Sequence, residues 1–137
     1  MDRGRARPCR NSAWGRCGST GRVLYGLFFV FAGALHFFKT GLYLRVMPPV
    51  LPWPRELVLL SGAAEIALGL LLLPRRTAPL AGWGLIALLA AVFPANVYML
   101  MEPGIFPQIP LWALWLRLPL QGLFMFLAWR CSRPDRA

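Results

Sequence analysis

Five polar side chains stand inside apolar runs of membrane-crossing length: His36, Glu65, Asn96, Arg117 and Gln121. Hydrocarbon does not solvate such groups, so an ionisable side chain within a span turns inward, finds partners and marks a site by default. An acid and a guanidinium can form a charged pair, an imidazole can hold a proton, and amides can orient a polar head. Together these groups suit a small polar ring, for instance a quinone, with protons passed to it from His36 or Glu65. Ser61 joins the set, because Ser61, Glu65 and Gly69 are four apart and share one helix face. Arg117 and Gln121 repeat that spacing, and Tyr98 lies near enough in sequence to complete the same pocket. Glu65 and Arg117 are expected to face each other as an ion pair lining it.

The elements that must carry these residues follow from hydropathy. Apolar runs cover residues 23–38, 57–73, 80–101 and 111–129, against the ~17–25 residues a spanning helix needs. The first is short, and Arg22 and Lys39 can extend it by snorkelling. Breakers at 47–54, 74–76 and 103–110 separate the runs. The pattern predicts an all-α fold, an integral membrane four-helix bundle over residues 22–130. It is preceded by a disordered basic tail, 1–21, and followed by a short tail, 131–137. Basic residues are distributed eleven to three between the two faces, which places both termini and both tails in the cytoplasm. The rival reading of the first run is a secretory signal peptide ending at Ala32-Gly33-Ala34; the long basic stretch before it speaks for a retained span.

In this topology the polar residues converge. Counted from the outer ends at ~1.5 Å per residue, His36 lies about 4 Å deep, Asn96 about 8 Å, Arg117 about 9 Å, Glu65 about 12 Å and Gln121 about 15 Å. Pro94 and Pro119 fall within the third and fourth runs and free the carbonyls of Ala90 and Trp115 beside this group. Gly62, Ala63 and Gly69 on the second run, with Ala32 and Gly33 on the first, permit close helix contact. The stiff stretch 47–54 serves either as an interfacial crossover or as a cap on the outer side of the pocket.

Composition excludes several classes. The chain is 58% apolar with a net charge of +10, and its arginines cluster at the ends of apolar runs instead of along one face, which argues against nucleic acid as a partner. Cys9, Cys17 and Cys131 form no CxxC and have no histidine at metal-ligand spacing, so they read as free thiols in tails on a reducing face, with no metal site. No GxGxxG, P-loop, HExxH or GxSxG occurs, and independent catalytic activity is not expected.

The stretches Ala32-Gly33-Ala34-Leu35-His36-Phe37, Met47-Pro48-Pro49-Val50-Leu51-Pro52, Ser61-Gly62-Ala63-Ala64-Glu65-Ile66-Ala67-Leu68-Gly69, Ala91-Val92-Phe93-Pro94-Ala95-Asn96 and Leu116-Arg117-Leu118-Pro119-Leu120-Gln121 resemble the small bacterial DoxX-like membrane proteins. That resemblance covers residues 22–130. It implies a multi-pass protein of the bacterial inner membrane, acting as an accessory subunit of a quinone- or thiol-linked redox system. The implied partners are a soluble or membrane oxidoreductase, the lipid bilayer and further copies of the chain, with a quinone as the possible cofactor. The alternatives are a small transporter or channel subunit using the same pocket, or a structural membrane protein without a ligand.

Overall fold

A computed structural model describes residues 17–133. Positions 1–16 of the expected basic tail, with Cys9, and positions 134–137 lie outside the described residues. The described residues fold into five α-helices: α1 Ser19–Phe38, α2 Thr40–Val46, α3 Pro54–Leu72, α4 Ala78–Met101 and α5 Leu111–Ser132. A single 3-10 turn, Pro103–Ile105, lies between α4 and α5, and the described residues contain no strand.

α1 begins four residues before the apolar run, because Ser19 to Arg22 continue the helical ladder and the Arg22 amide bonds to the Gly18 carbonyl at 2.9 Å. The expected tail is therefore too long by three residues at its inner end, and the 20-residue helix spans about 30 Å, enough for a bilayer. α5 likewise runs on through Cys131 and Ser132, two residues that the reading of the sequence assigns to a tail. α2 is an addition to the expected elements, a seven-residue helix in a stretch that lies outside every apolar run. Lys39 breaks the helix before it, and Thr40 Oγ1 donates to the carbonyls of His36 at 2.7 Å and Phe37 at 3.0 Å. Those bonds satisfy carbonyls that the end of α1 leaves open and turn the chain sharply. Trp53, held between two prolines, enters α3 in a left-handed conformation at φ 50°. For a bulky residue this costs on the order of 1–2 kcal/mol.

α1, α4 and α5 are each long and apolar enough to cross a membrane, which marks a membrane protein. α3 is 19 residues long and carries Arg55, Glu56 and Glu65. Leu24, Phe31, Leu60, Leu80 and Trp112 are among the large apolar side chains left exposed on all four long helices, a surface that water would not tolerate and lipid would.

Helix pairing is set by glycine. α1 packs on α3 and α4 on α5, with α3 and α4 joining the two pairs. A Cβ added at Gly33 would meet the Gly62 carbonyl oxygen at 2.5 Å, and one at Gly69 would meet the Gly26 carbonyl oxygen at 2.6 Å. α1 and α3 thus touch backbone to backbone, as small-residue interfaces in membranes do. Ala63, expected at this interface, is exposed instead. α1 and α5 meet through aromatic side chains: Phe28 stacks on Phe124 at 5.2 Å, and the Tyr25 hydroxyl donates to the Phe124 carbonyl at 2.6 Å.

Two apolar clusters hold opposite ends of the molecule. Phe29, Leu72, Ala81, Leu85 and Ala128 fill the end where α1 begins and α5 finishes. Met99, Phe106 and Leu114 fill the other. The first end also carries a disulfide between Cys17 and Cys131, whose Cα atoms are 5.0 Å apart. That pairing corrects the reading of both as free thiols: 114 residues separate them in sequence, but α1 starts and α5 ends on the same face.

Candidate functional site

The close α1–α3 contact carries His36 onto α3. The Cβ of His36 is the nearest atom to a side chain built at Gly62, so this glycine makes room for the imidazole. One turn further along α3, Glu65 Oε2 stands 3.6 Å from His36 Nδ1. The same nitrogen lies 3.0 Å from the Ala32 carbonyl, to which it donates when it carries the proton. Glu65 Oε2 is buried and has no hydrogen-bond partner among the described residues. A buried carboxyl oxygen in that state is costly, and a ligand hydrogen-bond donor would relieve it.

Tyr43 on α2 closes over the imidazole, ring on ring, with centroids 3.9 Å apart and planes 21° from parallel. Burial, with the Glu65 carboxyl nearby, raises the Tyr43 hydroxyl above its ordinary value, while Arg117 opposes that shift. The phenol therefore keeps its proton at neutral pH and remains a hydrogen-bond donor. The sequence reading passed over Tyr43, because it lies outside every long apolar run. The signal available was an aromatic residue seven positions from His36, within reach only if the chain turns back on itself.

These groups line one cavity of about 240 Å³: His36, Tyr43, Ser61, Glu65, Asn96 and Arg117, walled by Phe28, Phe29, Leu89, Val92 and Phe124. Five of the six residues anticipated from sequence thus converge on one space. Ser61 is partly committed, since its hydroxyl donates to the Val58 carbonyl at 2.9 Å. Gln121, the sixth, is buried and does not line this cavity. It accepts from Asn96 Nδ2 at 2.7 Å and donates through its own amide nitrogen to the Leu89 carbonyl, tying α5 to α4. The carbonyl used is Leu89, one residue before the Ala90 that Pro94 leaves without its helical donor. Gln121 also borders a smaller space of about 190 Å³, shared with Asn96 and Arg117. Tyr98 lines none of these spaces.

The expected Glu65–Arg117 ion pair does not form. α3 packs mainly on α1 and α4, with α2 against it as well, so the group nearest the carboxyl is His36 of α1. Arg117 lies across the cavity and directs Nη1 to Met99 Sδ at 3.2 Å, a weak acceptor. Among the described residues no carboxylate lies within ion-pair distance of it. No group of three or more potential metal ligands occurs among the described residues.

The cavity therefore offers a proton-exchanging acid–imidazole pair, a phenol donor, an amide and an uncompensated guanidinium inside aromatic walls. Such a set can hydrogen-bond both edges of a small polar ring while excluding water. No curated protein and no solved structure matches the chain. Residues 25–132 match the family described as a domain of unknown function, DUF8561, and the chain belongs to that family.

Proposed function

We propose that this chain is a four-span bundle of the bacterial inner membrane, with both termini cytoplasmic, that binds a quinone-like ring in the cavity between His36, Glu65 and Arg117. On this reading α3 is the fourth span, its Glu65 sheltered from lipid by α1 and α4. The observation that carries the reading is the unpartnered, buried Glu65 Oε2 beside His36 Nδ1 in a space bounded by aromatic rings. An acid and an imidazole so placed can hold a proton between them and present it to a ligand carbonyl. Arg117 is placed to donate from across the cavity and the Tyr43 hydroxyl from beside the imidazole on which its ring stacks, and the guanidinium favours any negative charge that grows near it. A bound quinone supplies reversible uptake of electrons and protons. The Phe28–Phe124 contact between α1 and α5 is the side of the bundle where an apolar tail can leave into lipid. The resemblance to DoxX-like proteins supports an accessory role beside an oxidoreductase partner.

The test is extraction and titration of the purified full chain with a short-tailed quinone, read by quenching of its tryptophan fluorescence. Wild-type protein binds. Glu65→Gln, which keeps size and packing, loses about ten- to a hundredfold in affinity, the value of a hydrogen bond to a charged group, at near-normal expression. Wild-type protein that neither carries nor binds a quinone would refute the proposal.

A further inference from the structure

A second space opens at the same end of the molecule. It is a groove of about 660 Å³ between α2, the end of α1 and the α4–α5 turn. Leu35, Leu42, Val46, Ile105, Phe106 and Ile109 make its walls mainly apolar. Lys39, Arg45 and Arg117 also line it, all three exposed, and none of the described residues lining it is acidic. The polar cavity needs neither Lys39 nor Arg45, which border only this groove. Arg117 reaches both spaces, and among the described residues no carboxylate is in ion-pair reach of it. An arginine at membrane depth with no anion is expensive, and three cations converging beside an apolar trough leave an excess of positive charge that the described residues do not balance.

We infer that this groove is a binding site for an anionic phospholipid of the surrounding bilayer, its phosphate against Lys39, Arg45 and Arg117 and one acyl chain along the Leu42–Ile105–Ile109 wall. Charge complementarity selects the anion and the apolar lining selects the chain. The volume lies within the ~300–1,000 Å³ of small-molecule sites, so it takes a head and part of one tail, with the rest left in the bilayer. Basic pockets between membrane helices recognise lipid phosphates in this way. The lipid also neutralises Arg117 from the side opposite the cavity. The inference stands without the quinone reading, because Lys39, Arg45 and the Leu42–Ile105–Ile109 wall border this groove and not the polar cavity.

The experiment uses the full chain in phosphatidylcholine nanodiscs doped with phosphatidylglycerol, with the lipids that stay bound after mild detergent exchange counted by mass spectrometry. Wild-type protein retains phosphatidylglycerol in preference to phosphatidylcholine. Lys39→Gln and Arg45→Gln each reduce that preference about fivefold, the share of one basic residue near a lipid phosphate. Leu42→Trp, which fills the trough and keeps every charge, reduces it as well, and so separates the groove from general attraction to an anionic surface. Quinone binding stays unchanged in Lys39→Gln and Arg45→Gln. Equal retention of both lipids by wild-type protein, or a preference that survives all three substitutions, would overturn the inference. Displacement of the lipid by millimolar inorganic phosphate alone would also overturn it, by showing an anion site with no use for the chain. So would displacement by oleate at equal concentration, which would make the occupant a fatty carboxylate.

Discussion

Gly33→Ala is the substitution that strikes most directly at how the site is built. A methyl group there would stand 2.5 Å from the Gly62 carbonyl oxygen, 2.8 Å from Ile66 Cγ1 and 3.0 Å from Glu65 Cβ. The nearest of these is backbone and cannot rotate away. Ordinary contact begins at 3.4 Å, so α1 and α3 must part locally by about 0.9 Å, the difference between 3.4 and 2.5 Å. Overpacking of this kind costs ~1–3 kcal/mol. The same displacement carries the 3.6 Å His36–Glu65 separation to about 4.5 Å, beyond the reach of an ion pair. Gly33→Ala should therefore lower stability in reversible unfolding by SDS in mixed micelles and weaken quinone binding together. Gly122→Ala supplies the control: a Cβ at Gly122 meets nothing within 4 Å, and alanine in an exposed helix position should gain about 0.5–1 kcal/mol. A Gly33→Ala protein as stable as wild type, or one stabilised as Gly122→Ala is, would refute the argument that backbone contact between α1 and α3 sets the site.

The remaining predictions concern the other two ties. Asn96→Leu and Gln121→Leu should each destabilise the chain, and their double-mutant cycle should give a coupling of ~0.6–2 kcal/mol, the range of interhelical polar contacts in membranes. A coupling of zero would mean that the 2.7 Å bond between them does not hold α4 to α5. Cys17 and Cys131 close a loop of 114 residues, worth about 4–5 kcal/mol in the chain-entropy account, so oxidised protein should unfold later than reduced protein by that order. The proposed cytoplasmic termini would expose this bond to a reducing pool that opens it in growing cells, so on that topology a membrane-permeant maleimide should label both cysteines without prior reduction. Labelling that requires a reductant would instead place the termini on the oxidising side and reverse the proposed topology.

Much of the architecture was legible in hydropathy, and the departures share a cause. The runs at 57–73, 80–101 and 111–129 lie on α3, α4 and α5 to within a few residues at each end, because an apolar stretch of that length has few other ways to satisfy its backbone. Ends were missed wherever polar residues continue a helix: Ser19 to Arg22 at the start of α1, and Cys131 and Ser132 at the end of α5. α2 was missed because seven residues are too few for a period to register, and its position rests on Thr40 capping the carbonyls of α1 and on packing against α3. Axial counting placed His36, Glu65, Asn96, Arg117 and Gln121 at compatible depths, and the first four do share a cavity while Gln121 does not line it. It could not say which helix neighbours which. Depth alone made Arg117 the natural partner for Glu65, while the glycine contact of α1 with α3 delivers His36.

The two ends of the molecule can now be separated physically. Cys17 lies at the start of α1 and His36 near its end, roughly 28 Å apart along the helix axis. The disulfide therefore cannot exchange directly with anything bound beside Glu65. It acts on the unfolded chain by closing a long loop, and its reduction in a cytoplasm would leave the site intact. What fixes the geometry there is local: Gly33 on Gly62, Gly26 on Gly69, Tyr43 stacked on His36, and Gln121 spanning Asn96 and Leu89. Reduction should accordingly lower global stability with little change in quinone or lipid affinity, while Gly33→Ala should weaken quinone binding even with the disulfide intact. Stability and affinity moving in parallel under both perturbations would mean that the two ends fold and bind as one unit, against the division drawn from these contacts.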